Sequence, residues 1–283
     1  MNDWILANAQ TARLGAFLGV LVLMALWELV AARRELGHSR GRRWLANLGL
    51  SVAGSFLVRL IFPAAAMGVA LLAERERWGL LNHYHPALAV KVLLSIVVLD
   101  LAIYFQHVLF HAVPIFWRLH KVHHTDQDVD ASTGIRFHPV EILVSMVIKF
   151  AVVAALGPPP VAVVLFAILL NATSIFNHAN VRLPRAVERP LRWILVTPDM
   201  HRVHHSVEVD ESNSNFGFNL PWWDRLFGTY RAQPRAGHLE MELGVSELQR
   251  PRARGLVDLL ALPFRRSAGQ RPADERAERD AGS

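Results

Sequence analysis

Fourteen histidines stand among 283 residues, and ten of them fall between positions 107 and 205. Their spacing is regular. His107 and His111 stand at i, i+4 in His-Val-Leu-Phe-His. His120, His123 and His124 take i, i+3, i+4 in His-Lys-Val-His-His, and His201, His204 and His205 repeat that spacing in His-Arg-Val-His-His. On a helix, residues three and four apart share a face, so each cluster can aim two or three imidazoles at one point. One such triplet arises by chance roughly 0.03 times in a chain this rich in histidine, so two of them are not packing accidents. Eight imidazoles exceed what one metal uses, because tetrahedral zinc takes four ligands and iron up to six. Two metal ions sharing the set is the economical reading. Imidazole suits iron, zinc and copper alike, so the ligand type leaves the metal open.

The elements that must carry these clusters are apolar. Hydrophobic residues make up 52% of the chain and charged ones only 19%, below the roughly 25% of soluble proteins, which argues against a charged nucleic-acid-binding surface. There is no cysteine, which excludes disulfides, iron–sulfur clusters and thiol nucleophiles. Leu14 to Ala32 is a 19-residue apolar run flanked by Arg13 and by Arg33–Arg34. It is long enough to cross roughly 30 Å of hydrocarbon, and too long for the core of a signal peptide. Trp44–Ala73, Pro86–Gln106, Val140–Leu156 and Val161–Phe176 follow, the last two joined by Gly157-Pro158-Pro159-Pro160 as an apolar hairpin over 140–176. His138 and His178 stand at either end of that hairpin. With the N-terminus outside, outer segments hold three Lys or Arg and inner segments twenty-four, so the histidine clusters and the C-terminus are expected at the cytoplasmic face.

The fold expected is all-α: an integral-membrane helical bundle of four to five apolar segments, with a cytoplasmic histidine-rich helical cap holding a dimetal site. Residues 1–89 read as N-terminal transmembrane helices, 90–235 as the catalytic unit and 236–283 as a C-terminal cytoplasmic tail. The end of that tail, from about Arg265, is too poor in large apolar residues to form a core and is expected to be disordered.

HxxxH, HxxHH and HxxHH set between membrane helices resemble the boxes of the fatty acid hydroxylase / sterol desaturase superfamily. So do Leu99-Asp100-Leu101 through Tyr104 to His107, Arg136-Phe137-His138-Pro139 with Glu141, and Asn177-His178-Ala179-Asn180. Thr197-Pro198-Asp199-Met200, Asn215-Phe216-Gly217 and Trp223-Asp224-Arg225-Leu226-Phe227-Gly228-Thr229 complete the likeness over about 90–231. The resemblance implies a cell-membrane, dioxygen-dependent non-haem di-iron oxidase hydroxylating or desaturating a lipid, with two iron ions (zinc being possible as purified). It implies His107, His111, His120, His123, His124, His201, His204 and His205 as ligands, His178 as the residue that completes the set, and His138 as a ligand or a supporting residue. Some relatives carry a further histidine one turn before His178, where this chain has Ser174, so the set counts nine or ten.

Imidazole ligands are oriented by groups that accept from their other ring nitrogen. Asp100, Asp199, Glu141 and Asp224 are the candidates, Asp100 and Asp199 foremost. Glu28, Arg59, Lys91 and Lys149, inside or beside apolar runs, read as snorkelling or helix-pairing residues. His38, His83, His85 and His238 read as surface residues, and Trp222, Trp223, Phe227 and Tyr230 as interfacial or packing aromatics. No dinucleotide or haem motif is evident, so electrons are expected from a separate ferredoxin- or cytochrome-type donor. Arg182, Arg185 and Arg189 are candidates for its docking surface. A metal transporter places its ligands at mid-membrane on broken helices, and a zinc hydrolase carries HExxH, which is absent here. A catalytically silent relative conflicts with intact boxes.

Overall fold

A computed structural model of the protein describes residues 2–250 and 252–265, so the tail expected to be disordered lies almost wholly outside the described residues. Apart from two isolated bridges, Ala32 with Val181 and Ser206 with Leu243, the described residues form helices and loops only. The order is α1 (Asn2–Ala7), α2 (Ala9–Ala31), α3 (Arg40–Ile61), α4 (Ala65–Arg75), α5 (Leu80–Tyr84), α6 (Leu88–Ala112) and α7 (Pro114–His124). After a 3-10 turn (Ala131–Ile135) come α8 (Pro139–Leu156), α9 (Pro160–His178), α10 (Arg185–Leu191) and α11 (Pro198–His204). Among the described residues, five stretches are long and apolar enough to cross a membrane: α2, α3 to α5, α6, α8 and α9. The second apolar run is broken at Phe62-Pro63-Ala64, where proline cannot continue the helix, and α4 packs back against α8 and α9.

Proline also sets the site-bearing helices. α7, α8, α9 and α11 each carry it in their first turn, where the missing N–H costs nothing. Pro114 ends α6 and restarts the chain as α7, so the His107–His111 face meets the His120–His124 face across a tight reversal. Gly157 caps α8 with a left-handed φ of 65°. A Cβ there would lie 2.4 Å from the Trp78 carbonyl oxygen, so the α8–α9 turn requires glycine.

The ends of α2, α6 and α9 and the starts of α3 and α8 gather at one end of the bundle. A buried ionic network ties them together. Arg43 of α3 donates to Asp126 at 2.7 Å and to Asp130 at 2.8 Å. Arg136 donates to the Val122 carbonyl, Asn47 and Thr125. Burial pushes the Asp126 carboxyl up, but the guanidiniums of Arg43 and Arg136 outweigh it and hold the group well below the usual range. Glu28 differs from its reading as a snorkelling or pairing residue. It is buried and accepts from the backbone N–H groups of Ala131 and Asn180, at 2.7 and 2.8 Å, and from Arg40. An acceptor inside an apolar helix is thereby used to pin the chain at Ala131 and at Asn180. The described part of the segment assigned to the tail is packed: Leu259 and Leu262 join Ala46, Leu50 and Val122 in one core cluster.

Candidate metal centre

Nine imidazoles converge in two groups. His107, His111, His120, His124 and His204 form one; His123, His178, His201 and His205 form the other, and within each group the nearest ring nitrogens all lie within 4.8 Å of one another. All are buried except His111, which is half-buried. Helix geometry explains the division. In each HxxHH box the i, i+4 pair stays together and the middle histidine turns to the other group. His120 and His124 thus part from His123, and His201 and His205 part from His204. α6 adds its own i, i+4 pair to the first group, and α9 adds the single His178 to the second.

The outer ring nitrogens show what these groups need. His107 Nδ1 donates to the Phe216 carbonyl at 2.7 Å, His178 Nδ1 to the Ser174 carbonyl at 2.6 Å, and His204 Nδ1 to the Ser214 carbonyl at 2.8 Å. His120 Nδ1 faces Glu141 Oε1 at 2.7 Å, and His111 Nδ1 faces Asn213 Oδ1 at 3.3 Å. A carbonyl only accepts, so in the neutral ring the Nε2 atom carries a lone pair. The Nε2 atoms of His107 and His120 then face each other at 3.1 Å, lone pair to lone pair, and those of His111 and His124 stand at the same distance. His178 Nε2 lies 3.1 Å from both His123 Nε2 and His201 Nε2. Nε2 of His204 and both ring nitrogens of His205 are buried without a hydrogen-bond partner among the described residues, whereas in His123, His124 and His201 the unpartnered nitrogen is Nδ1, on the other side of the ring from the converging Nε2. Convergent buried lone pairs without donors fit a cation at the centre of each group.

Burial keeps the set neutral. It pushes His120 down to about 3, and His123, His124, His201, His204 and His205 fall well below the ordinary 6.5, chiefly through burial and then through mutual repulsion. Below pH 6.5 the unfolded chain therefore binds more protons than the folded one, and stability falls as pH drops. Each such histidine contributes up to about 1.4 kcal/mol per pH unit in that window. The chelator-treated protein in detergent is expected to melt at a steeply lower temperature at pH 5 than at pH 7.5. A melting temperature flat across that range would contradict the neutral assignment.

Of the candidate orienting carboxylates, only Glu141 touches an imidazole of the two groups. Its replacement by Gln preserves an acceptor for His120 Nδ1, whereas Glu141→Leu frees the ring to place its proton on Nε2. The expected loss of metal affinity is about 10- to 100-fold for Leu and small for Gln, read by chelator competition. Asp100 instead accepts from Asn219 at 2.6 Å, the Leu220 N–H at 3.2 Å and Trp223 Nε1 at 2.8 Å. Asp224 accepts from the N–H groups of Phe216 and Gly217 and from Thr229. Both thus hold the 213–224 segment, whose Asn213, Ser214 and Phe216 oxygens orient three rings of the first group. The Ser214 and Phe216 oxygens are backbone carbonyls, invisible in the sequence because any residue type supplies one; the Asn213 oxygen belongs to its side chain. Asp199 pairs with Arg33 at 3.2 Å and with Arg202, and lies 3.7 Å from His238, binding α11 to the start of the α2–α3 loop.

His138 belongs to neither group. It caps α8, accepting from the Val140 N–H at 3.2 Å, with Nε2 beside the Leu260 carbonyl. Ser174 donates to the Gly134 carbonyl at 2.7 Å, so the position one turn before His178 is occupied by a packing bond. His83 and His85 are exposed. His238, read as a surface residue, is buried against Asp199, and His38 pairs with Asp128 at 2.8 Å. Trp223 is buried on Asp100, while Trp222 and Phe227 are exposed.

Comparison with known proteins agrees with this arrangement. Residues 92–229 match the model of the fatty acid hydroxylase family. The chain is 27% identical to ornithine lipid hydroxylase OlsE of Rhizobium tropici over 256 residues, covering 88% of this chain and 75% of that protein. It is 28% identical to cholesterol 25-hydroxylase of Rattus norvegicus over 207 residues, 70% of this chain and 64% of that one. With alkylglycerol monooxygenase of Xenopus tropicalis the identity is 31% over 135 residues, 46% of this chain but only 28% of that longer protein. No solved structure matches. A multi-pass helical bundle gathering its box histidines at one end, the family match over 92–229 and relatives that are lipid hydroxylases and monooxygenases make this chain similar, over about half of its length, to the fatty acid hydroxylase family.

Proposed function

We propose that the protein holds two iron ions, one in each imidazole group, and uses dioxygen to hydroxylate or desaturate a C–H bond of a membrane lipid. The observation that carries this reading is the set of nine imidazoles, eight buried and His111 half-buried, whose ring nitrogens converge in two groups at the end of an apolar bundle. Iron held there supplies the oxidising power for an unactivated C–H bond. The chain's own residues do the rest. The Phe216, Ser174 and Ser214 carbonyls and Glu141 fix which nitrogen faces inward in His107, His178, His204 and His120. Phe137, stacked 4.6 Å from His123, together with Phe216 and Phe218 against His107, walls the groups with hydrocarbon and keeps water out. All-imidazole ligation leaves the full charge of the ions in place, which favours oxidation of a poor substrate.

The unit over 90–235 carries the chemistry, and the inner face is cytoplasmic, where arginine is concentrated. A ferredoxin- or cytochrome-type protein delivers electrons there. Arg182, Arg185 and Arg189 are exposed beside α10 and suit an acidic donor. Reversing their charges is expected to slow donor-driven turnover several-fold, with bound iron unchanged; turnover indifferent to both the substitutions and salt would reject that docking surface.

The experiment for the reaction supplies the detergent-purified, iron-loaded protein with reductant, donor and a panel of lipids under isotopically labelled dioxygen. Mass spectrometry should find a lipid that has gained one labelled oxygen or lost two hydrogens. Every lipid unchanged with iron bound and a competent donor present would reject the oxidase reading.

A further inference from the structure

Where α2 ends and the chain turns towards α3, a groove of about 420 Å³ opens at the site-bearing end of the bundle. Arg33, Arg34 and Arg40 line it, together with the buried Glu28 and Asn180 and the exposed Leu239. No imidazole of the two metal groups takes part. The space accommodates a phosphate group and its substituents, though not a whole lipid.

The carboxylates nearby are already engaged. Glu28 Oε1 takes the backbone N–H groups of Ala131 and Asn180, and its Oε2 takes Arg40 Nη2 at 2.8 Å. Asp199 serves two guanidiniums at once, those of Arg33 and Arg202. Glu35, also in the lining, is exposed, so water weakens its field. Arg34 has no carboxylate partner among the described residues. Its Nη1 and Nη2 donate to the carbonyls of His238 and Met241, at 2.7 and 2.8 Å, which fixes the guanidinium and leaves its charge unanswered. Donors remain as well. Among the described residues Arg33 bonds only through Nε and Nη2, and Arg40 only through Nη2.

These guanidiniums approach from two sides, Arg33 and Arg34 from the end of α2 and Arg40 from the start of α3. A carboxylate answers one planar fork, whereas the oxygens of a phosphate accept from several directions. Basic pockets between helices where they leave a membrane suit phosphorylated head groups. Leu26, Leu29 and Val30, exposed on the last two turns of α2, offer hydrocarbon surface beside the groove for an attached acyl chain.

We propose that this groove is a phosphate-binding site, filled by the phosphodiester of a membrane phospholipid or by free phosphate, and separate from the place where a lipid is oxidised. Its occupant braces two helices. Arg33 is tied to Asp199, two residues before His201 in α11, and the Arg34 backbone is tied to the Asn180 side chain, two residues after His178 of α9. Binding should therefore raise the melting temperature.

The test uses the full chain, stripped of lipid in detergent and kept in phosphate-free buffer. Dioleoylphosphatidylglycerol, dioleoylglycerol (the same chains without phosphate) and inorganic phosphate are added separately; native mass spectrometry counts bound lipid and melting is followed in parallel. Phosphatidylglycerol should bind about tenfold more tightly than the diacylglycerol, and salt should weaken that preference. Leu239→Glu, which sets a carboxylate at the groove without removing a hydrogen bond, should cut the preference about fivefold or more, as should Arg34→Gln. Leu239→Gln should keep it. A rise in melting temperature with inorganic phosphate equal to that with phosphatidylglycerol identifies free phosphate as the ligand; a rise with phosphatidylglycerol alone identifies the lipid. Equal binding of both lipids with no effect of phosphate would overturn the proposal, and so would a preference unchanged by both Leu239→Glu and Arg34→Gln. A polyglutamate peptide that raises the melting temperature where neither phosphate compound does would assign the groove to an acidic protein and overturn it too. None of these readouts depends on metal or on lipid oxidation.

Discussion

Replacing His178 by Ala empties the four-imidazole group and spares the five-imidazole one: bound iron falls from about two per chain to about one, and lipid oxidation falls by at least about a hundredfold. The reason lies in its position. His178 Nε2 is 3.1 Å from the Nε2 atoms of both His123 and His201, so it is the shared neighbour within its group. Its own ring is fixed by the Ser174 carbonyl of the same helix, and the Ser174 hydroxyl, one turn earlier, is already bonded to Gly134. His111→Ala is the contrasting variant. It removes a half-buried member of a group of five, held only by a 3.3 Å contact to Asn213, and leaves four imidazoles behind. Iron in that variant should stay near two per chain, with faster loss to chelator. Metal analysis alongside oxygen uptake separates the two. Equal iron loss in both variants would mean that the division into five and four does not describe how metal is held.

Arg43→Leu should destabilise the protein by about 3–5 kcal/mol, the usual cost of stranding buried charge. Arg43 is 1% exposed and holds both Asp126 and Asp130, themselves buried, so its removal leaves two buried carboxylates without the guanidinium that bonds them, with Arg136 the cation still acting on Asp126. The damage should spread to the centre. Asp126 also accepts from Thr133, and Thr125 is held by Arg136, so the segment following His123 and His124 loses its anchors. A partial rescue by adding Asp126→Asn, which removes one stranded charge, separates this electrostatic account from a loss of packing. Arg75→Ala, which breaks the exposed contact to Glu76, should leave melting unchanged. Melting of the detergent-solubilised proteins reads all three; an Arg43→Leu variant as stable as the native chain would contradict the account.

The histidine boxes, the apolar helices and the helix starts at Pro114, Pro139, Pro160 and Pro198 could be read from the chain because each is local. Spacing alone puts i, i+3 and i+4 on one face, and proline alone marks a first turn. What spacing could not say is which imidazole serves which ion. Each HxxHH box looks like one unit in sequence, yet the i, i+4 pair and the middle histidine point to different groups once α6, α7, α9 and α11 are packed. The carboxylates were the least legible. Asp100 reads as an imidazole partner because a carboxylate near the end of an apolar run is costly without a partner. Its partners lie at 219–223, more than a hundred residues away, and it acts by holding a loop whose backbone carbonyls orient the rings. Glu28, Arg43 and His238 were similarly opaque, since each looks like a membrane-flanking or surface residue until a distant loop folds over it. Ser174 was legible as a departure from relatives, and nine imidazoles, not ten, are what the structure brings together.

The most direct test of the central claim is metal content together with dioxygen consumption, on protein purified in detergent with ferrous iron supplied. The account predicts close to two irons per chain and oxygen uptake that depends on reductant and disappears in a His123→Ala, His204→Ala variant, which takes one ligand from each group. A single zinc or no bound metal, with no uptake even beside a competent electron donor, would contradict it.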